Sequence, residues 1–541
     1  MRDGERQSDG GESPELGAGS AARLPAAPLP LTAAEDDSAI LSALRPRPAA
    51  TFHVTRAVFL RALGFIYAVA FAVLYNQCLA LFGRAGLLPA DIYVARLRSA
   101  WSFWQHPTLF WWGVTDHVLS GCSAAGLLLS LLVVCGVDHV SILFALWALY
   151  LSFVHIGQIF YGYGWETLLL ETGALALFLA PVRQLRSARD PRPVPGVMFW
   201  LLCWLLFRLM FGAGLIKLRG DSCWRDLTCL YYHYETQPNP HPLSRVLHWA
   251  PRWFHQFGVL FNHFVEVIVP FGLFVPRLRH AAVGFTIAFQ ALLIFSGNLS
   301  FLNWLTIVVA LSCVDDRVWH KLLPGRLGVR VEQPASRSRV IAVGLYCAIV
   351  ALLSISPALN LLSSRQQMNT SFEPLHLVNS YGAFGSIGRE RDVVILEGTT
   401  DPQLSAATRW REYELPCQPG DLRRRPCWIT PYHYRLDWQM WFAALSEAGQ
   451  EPWFVHLVYK LLRNERQVLS LFASQPFGRE APRFVRAERY RYRFTPLGSD
   501  AYWQRERVGS YLPPLSVDDL RLYGFLSDYG LLRGERPDVS P

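Results

Sequence analysis

Apolar residues recur in long unbroken runs from residue 57 onward, and the lengths of those runs set the first expectation. They cover about 57–82, 118–136, 139–161, 165–182, 197–218, 259–276, 281–297, 299–314 and 339–362. A helix needs roughly 20 apolar residues to cross a bilayer, within a range of about 17–25. Most runs meet that length, while 165–182 and the pair flanking Gly297 are marginal. The pattern predicts a polytopic α-helical membrane bundle of about nine spans, give or take two, over residues 51–362. Residues 1–50 are rich in Pro, Ala, Gly and Ser, with too little apolar surface to offset the entropy of ordering. A disordered cytosolic tail is expected there, with no apolar run before Phe59 to act as a cleaved signal.

After Leu362 the period changes. "RDVVILEGT", "REYELPC" and "ERYRYRF" are short β-branched or aromatic runs with partial alternation, separated by Gly, Pro and charge, and read as strands. "DWQMWFAALSEAG" and "PWFVHLVYKLLRNE" repeat their apolar residues at three and four, and read as amphipathic helices. An α+β domain with a β-sheet core is expected over 363–515, large enough for its own core, followed by a tail over 516–541.

Composition and charge agree with the membrane reading. With 52% hydrophobic and only 17% charged residues, the chain is too apolar for an ordinary soluble multidomain protein. With nine spans and a cytosolic N-terminus, the cytosolic loops hold Arg183, Arg186, Arg189 and Arg192, then Arg277 and Arg279, then Arg317, Lys321, Arg326, Arg330, Arg337 and Arg339. This is the positive-inside bias. The net charge of +9 then follows from topology and attraction to anionic lipid, and no nucleic-acid partner is needed.

The same topology places loop 219–258 and everything after Leu362 on the non-cytosolic face, where the close pairs Cys223 with Cys229 and Cys417 with Cys427 lie. In an oxidising lumen each pair is a candidate disulfide, against the alternative that all ten cysteines are free. Neither pair has zinc-site spacing with histidines at hand, and no metal or other cofactor is expected.

Ionisable residues inside the runs need partners, because an unpaired charge there costs at least a few kcal/mol. Arg61, His155, Glu166, Glu171, Arg208, Lys217, His263 and Glu266 are the candidates. Glu166 and Glu171, five apart, do not share a helix face, whereas His263 and Glu266, three apart, do. One reading is an intramembrane enzyme or transporter built around His155, Glu171, His263 and Glu266. The other is a set of structural pairs locking the bundle, favoured by the lack of a nucleophile motif, a metal cluster or a phosphate-binding Gly loop.

Two aromatic stretches are candidate partner surfaces. The loop contributes Trp224, Tyr231, Tyr232 and Trp253, which suit either a partner or the membrane interface. "PYHYRLDWQMWF" contributes Tyr432, His433 and Trp438. A catalytic reading of His433 with Asp437 lacks a serine in a nucleophile-elbow setting. "GDLRRRPC" and "ERYRYRF" suggest an Arg-rich face, either solvated or fitted to an acidic partner. The sequons at Asn298 and Asn369 lie close to predicted spans and are weak glycosylation candidates.

The strings "FGAGLIKLRGDSCWRDLTCLYYHYETQPNPHPLS", "SGNLSFLNWLT", "LNLLSSRQQMNTSFEPLHLVNSYGAFGSI" and "PYHYRLDWQMWFAAL" resemble the lipase maturation factor family, and the likeness runs from about Phe52 to Pro514. The resemblance implies a multi-pass endoplasmic reticulum membrane protein with a cytosolic N-terminus and a lumenal C-terminal domain. It implies a chaperone or maturation factor, not an enzyme, for the folding, dimer assembly and secretion of lipoprotein lipase, hepatic lipase and endothelial lipase. Lumenal chaperones and oxidoreductases would be further partners. The family's usual count of about five spans is lower than nine; both counts are odd and leave the C-terminus lumenal.

Overall fold

The structure is a computed structural model that describes residues 51–322 and 336–533. The expected tail over 1–50, and Arg326 and Arg330 of the expected cytosolic set, lie outside the described residues.

Each of the nine apolar runs corresponds to a helix. These are α1 (His53–Phe82), α3 (Asp116–Val134), α4 (Val140–Ile156), α5 (Gly164–Leu179), α6 (Gly196–Arg219), α7 (Arg252–Phe274), α8 (Arg279–Ser296), α9 (Leu302–Ser312) and α10 (Arg337–Leu362). The short helix α2 (Ala90–Ala100) lies between α1 and α3. Among the described residues, α1, α3, α6, α7, α8 and α10 are long and apolar enough to cross a membrane. The chain is therefore a multi-pass membrane protein, and its span count depends on the three shorter helices.

Local chemistry explains several of these elements. The first free N–H groups of α1 donate to the Asp316 carboxylate, from His53, Val54 and Thr55 at 2.8, 3.0 and 3.0 Å. A residue about 260 positions away thus supplies the negative charge that a helix N-terminus favours. Helices α1 and α3 approach closely because Gly126 leaves room for the Phe71 ring, which any Cβ at that position would overlap. Helix α7 is not regular: Phe264–Ile268 form a π-helical turn and Val269–Phe274 a 3-10 turn. Pro270, which has no N–H to donate, stands at that transition.

The C-terminal domain holds a four-stranded antiparallel sheet of β1 (Arg391–Thr399), β2 (Arg411–Glu412), β3 (Phe484–Phe494) and β4 (Trp503–Ser516), in the order β2-β1-β3-β4. Helices α11 (Arg435–Ala443), α12 (Pro452–Leu462) and α13 (Leu520–Asp528) accompany it. Alternation along β1 sends Val394 and Leu396 into the large core shared with α12, and Val393 and Ile395 into a second cluster with Tyr492, Phe494 and Trp503.

Three expectations need correction. "REYELPC" joins the sheet only at Arg411–Glu412, with an isolated bridge from Glu414 to Ser474, and the Cys417 backbone is held by a side chain of α11. Strand β4, rich in charge, had no strand pattern of its own. The segment from 516, expected as a tail, contains α13, whose Leu522 and Leu526 are buried at 2% and 0% exposure.

Several arginines of the sheet are paired with carboxylates, while Arg423, Arg425 and Arg493 of the Arg-rich strings are exposed. Arg486 bonds Glu397 at 2.7 Å, Arg491 bonds Asp392 at 3.0 Å, Arg505 bonds Glu412 at 2.6 Å and Arg507 bonds Glu488 at 2.9 Å. Such cross-strand pairs favour the observed register.

Candidate functional site

The ionisable residues of the bundle converge on its junction with the C-terminal domain. Glu171 on α5 is ion-paired to Arg208 on α6, and both side chains are 2% exposed. The other Glu171 oxygen accepts from the Asn379 backbone N–H at 3.0 Å, its side-chain amide at 3.1 Å and the Tyr381 hydroxyl at 2.8 Å. Arg208 in turn donates to the Asn379 carbonyl. The polar stretch after Leu362 thus threads back into the bundle, and its Asn and Tyr satisfy a buried carboxylate.

Glu166, one and a half turns before Glu171, faces the other way and makes a second latch. It pairs with Arg435 at 2.8 Å, with both side chains fully buried, and accepts from the Trp165 indole at 2.8 Å and from the Tyr150 hydroxyl. Arg435 stacks over the Tyr161 ring at 3.4 Å, and its backbone N–H donates to Gln77 at 3.0 Å.

A third cluster joins α6 to α7. Lys217 donates to both Glu266 oxygens at 2.7 Å and to Asn262 at 3.0 Å. The His263–Glu266 site of the less favoured enzyme or transporter reading does not form. His263 hydrogen-bonds the Trp224 carbonyl at 3.0 Å, while the π-helical turn carries Glu266 towards Lys217. His155 hydrogen-bonds the Pro374 carbonyl at 2.9 Å beside the rings of His106 and His376. His155, Glu171, His263 and Glu266 therefore have separate partners and share no site. Arg61 is exposed beside Gly136.

The partner-surface candidates divide by burial. Trp224 is 3% exposed and donates its indole N–H to the Phe384 carbonyl at 2.9 Å, His433 is 0% exposed, and Trp438 is 5% exposed. These three are corrected to structural residues, because each aromatic is consumed by the junction. Tyr231, Tyr232 and Tyr432 are half-buried and Trp253 is open to the surroundings. His433 and Asp437 form no dyad. His433 Nδ1 meets the Ser300 hydroxyl at 2.9 Å, and burial holds the imidazole well below its usual pKa. Asp437 accepts from the Cys417 and Gln418 backbones at 2.6 and 2.9 Å, and burial pushes its carboxyl up to about 7.

The structure pairs Cys223 with Cys229 and Cys417 with Cys427, with Cα atoms 4.8 and 5.6 Å apart. Both bridges lie where the bundle meets the C-terminal domain. Asn298 is 1% exposed and fully engaged: it donates to the Cys427 carbonyl at 2.8 Å and accepts from Ile429 at 3.1 Å and Thr430 at 3.3 Å. No glycan fits on that side chain in this fold, which corrects the first sequon. Asn369 is exposed.

Sequence reasoning had no signal for Arg435, Asn379, Tyr381 or Gln77 as partners of the intramembrane charges. Each lies more than 200 positions from the carboxylate or loop that it meets.

What this two-part, latched arrangement belongs to is decided by comparison. Residues 54–321 match the family described as Lipase maturation factor transmembrane domain, and residues 377–513 match Lipase maturation factor C-terminal domain. The chain belongs to the lipase maturation factor family. It is 47% identical to Lipase maturation factor 1 of Mus musculus, over 87% of this chain and 89% of that protein. It is 45% identical to Lipase maturation factor 1 of Homo sapiens, over 87% of this chain and 90% of that one. Lipase maturation factor 2 of Xenopus laevis is 32% identical over 88% of this chain and 84% of its own. No solved structure matches. The latches lie where the family's two domains meet.

Proposed function

We propose that this lipase maturation factor resides in the endoplasmic reticulum membrane with its N-terminus cytosolic and its C-terminal domain in the lumen. There it holds partly folded lipoprotein lipase, hepatic lipase and endothelial lipase until their subunits pair. The observation that carries this reading is the burial of Glu166–Arg435 and of Glu171 with Arg208, Asn379 and Tyr381 across the junction. These contacts fix the C-terminal domain to the bundle as one platform. A platform of that kind can shield the apolar and strand-edge surface that makes slow-folding chains aggregate. Both cysteine pairs sit on the domain's side, which suits an oxidising lumen. Exposed Val246, Trp249 and Trp253 offer an apolar patch beside the domain for a client or for the membrane surface.

Complementation tests the proposal. Cells lacking the endogenous factor are given the full chain with each lipase in turn, and activity per mass of secreted enzyme and dimer fraction are measured. Both should rise for all three lipases. A rise in none would sink the reading, and a rise in one alone would narrow the client range.

A further inference from the structure

A cavity of about 710 Å³ lies between the C-terminal half of α6, α7, the end of α8, the start of α9, residues 381–386 and α11. Its volume falls in the range of about 300–1,000 Å³ typical of small-molecule sites. Its walls are apolar and aromatic, with Leu209, Phe261, Phe289 and Leu293 among them.

Charge narrows the occupant. Lys217 and Glu266 are the charged residues of the lining, and they neutralise each other at 2.7 Å. His233 in the same wall is neutral, because burial pushes it down to about 4. No unpaired charge therefore faces an anionic or cationic headgroup.

The rim identifies the source. Phe257 on α7 and Leu292 and Phe295 on α8 line the cavity and are 61%, 56% and 49% exposed. Both helices are long and apolar enough to cross the membrane, so a rim exposed on their outer faces is open to lipid.

We propose that this cavity takes an acyl chain of a membrane lipid whose polar end is uncharged, as in a diacylglycerol, admitted from the bilayer past Phe257, Leu292 and Phe295. The chain would lie along Phe261, Phe289 and Leu293. This rests on the membrane character of the chain and not on the client reading.

The test uses the full chain in phosphatidylcholine vesicles containing a diacylglycerol with a diazirine on one acyl chain, with photolabelled peptides mapped by mass spectrometry. Label is expected on 254–261 and 289–306. Ala213→Trp, which fills the cavity from α6, should lower that label by roughly tenfold, about 1.4 kcal/mol of binding. Label on outward-facing Leu128 and Leu131 should be unchanged. If Ala213→Trp does not fold, Leu302→Trp narrows the opposite wall and should do the same. A diazirine fatty acid, which is anionic, should label the cavity more weakly than the diacylglycerol. Label confined to outward faces, equal label in the filled variants, or preference for the fatty acid would overturn the proposal. Cross-linking of the cavity peptides in cells to a lipase chain in place of lipid would overturn it as well.

Discussion

Glu171→Ala is the sharpest perturbation of the junction. It leaves the Arg208 guanidinium, at 2% exposure, with the Asn379 carbonyl as its remaining hydrogen-bond acceptor among the described residues. It also strands the Asn379 backbone N–H and the Tyr381 hydroxyl, which both gave their hydrogen bonds to the lost carboxylate. Breaking a buried pair costs about 3–5 kcal/mol, and each orphaned donor adds about 1–3 kcal/mol unless water reaches it. A loss on the order of 4 kcal/mol or more is expected, which for a unit of this size lowers the melting temperature by roughly 4–8 °C. The assay is melting of the full chain in detergent at a fixed heating rate, since unfolding there is irreversible. Protease cleavage within 363–390 is followed in parallel. Because a buried pair can often be replaced by apolar residues at little cost, Glu171→Leu with Arg208→Met should lose less than the two single changes summed. The reasoning fails if Glu171→Ala melts with the unaltered protein and 363–390 is cut no faster, or if the double change is fully additive.

Three further expectations follow from burial. Asp437 titrates at about 7 when folded, against about 3.9 for an unfolded aspartate, so its ionisation weakens the fold as pH rises through that window. The melting temperature of Asp437→Asn relative to the unaltered chain should therefore climb from pH 4 to pH 7 and level off above; a flat or falling difference would contradict the burial argument. Trp224→Ala should destabilise by about 3–5 kcal/mol as a buried aromatic, whereas Trp253→Ala, at a site 66% exposed, should leave melting unchanged, and the reverse order would be wrong for this fold. Asn298→Gln should lower stability, because its amide holds residues 427–430, yet leave the response of gel mobility to glycosidase the same as in the unaltered chain; a glycan lost with the substitution would refute the buried placement.

Much of the fold was legible because it rests on periodicity. The nine apolar runs became nine helices, and "RDVVILEGT" became β1 residue for residue, while "PWFVHLVYKLLRNE" became α12 only as far as Leu462. Strand β4 escaped because its exposed face alternates Gln, Arg and Glu instead of β-branched residues, and α13 because a nine-residue helix near a polar terminus looks like a tail. The ionisable residues were legible as anomalies and not as pairs. A face shared by His263 and Glu266 is a local argument, and Lys217, 49 positions earlier, outweighs it once the π-helical turn redirects the carboxylate. Glu166 and Glu171 could not be paired by spacing, because Arg435 and Asn379 reach them only after the C-terminal domain has folded back onto the bundle. The same fact complicates deletion of everything after Leu362, which would remove those partners and leave two buried carboxylates exposed to misfolding of the bundle itself.

The most direct test of the latched platform is the specific activity of a lipase secreted from cells lacking the endogenous factor, comparing the full chain with Arg435→Met at matched abundance in the membrane. Arg435 is fully buried and joins α11 to Glu166, so its loss breaks that latch and loosens the hold on the C-terminal domain without touching an exposed surface. The full chain should restore active lipase, and Arg435→Met should yield secreted or retained lipase of low specific activity. Full restoration by Arg435→Met would contradict the claim that maturation depends on a domain fixed to the bundle.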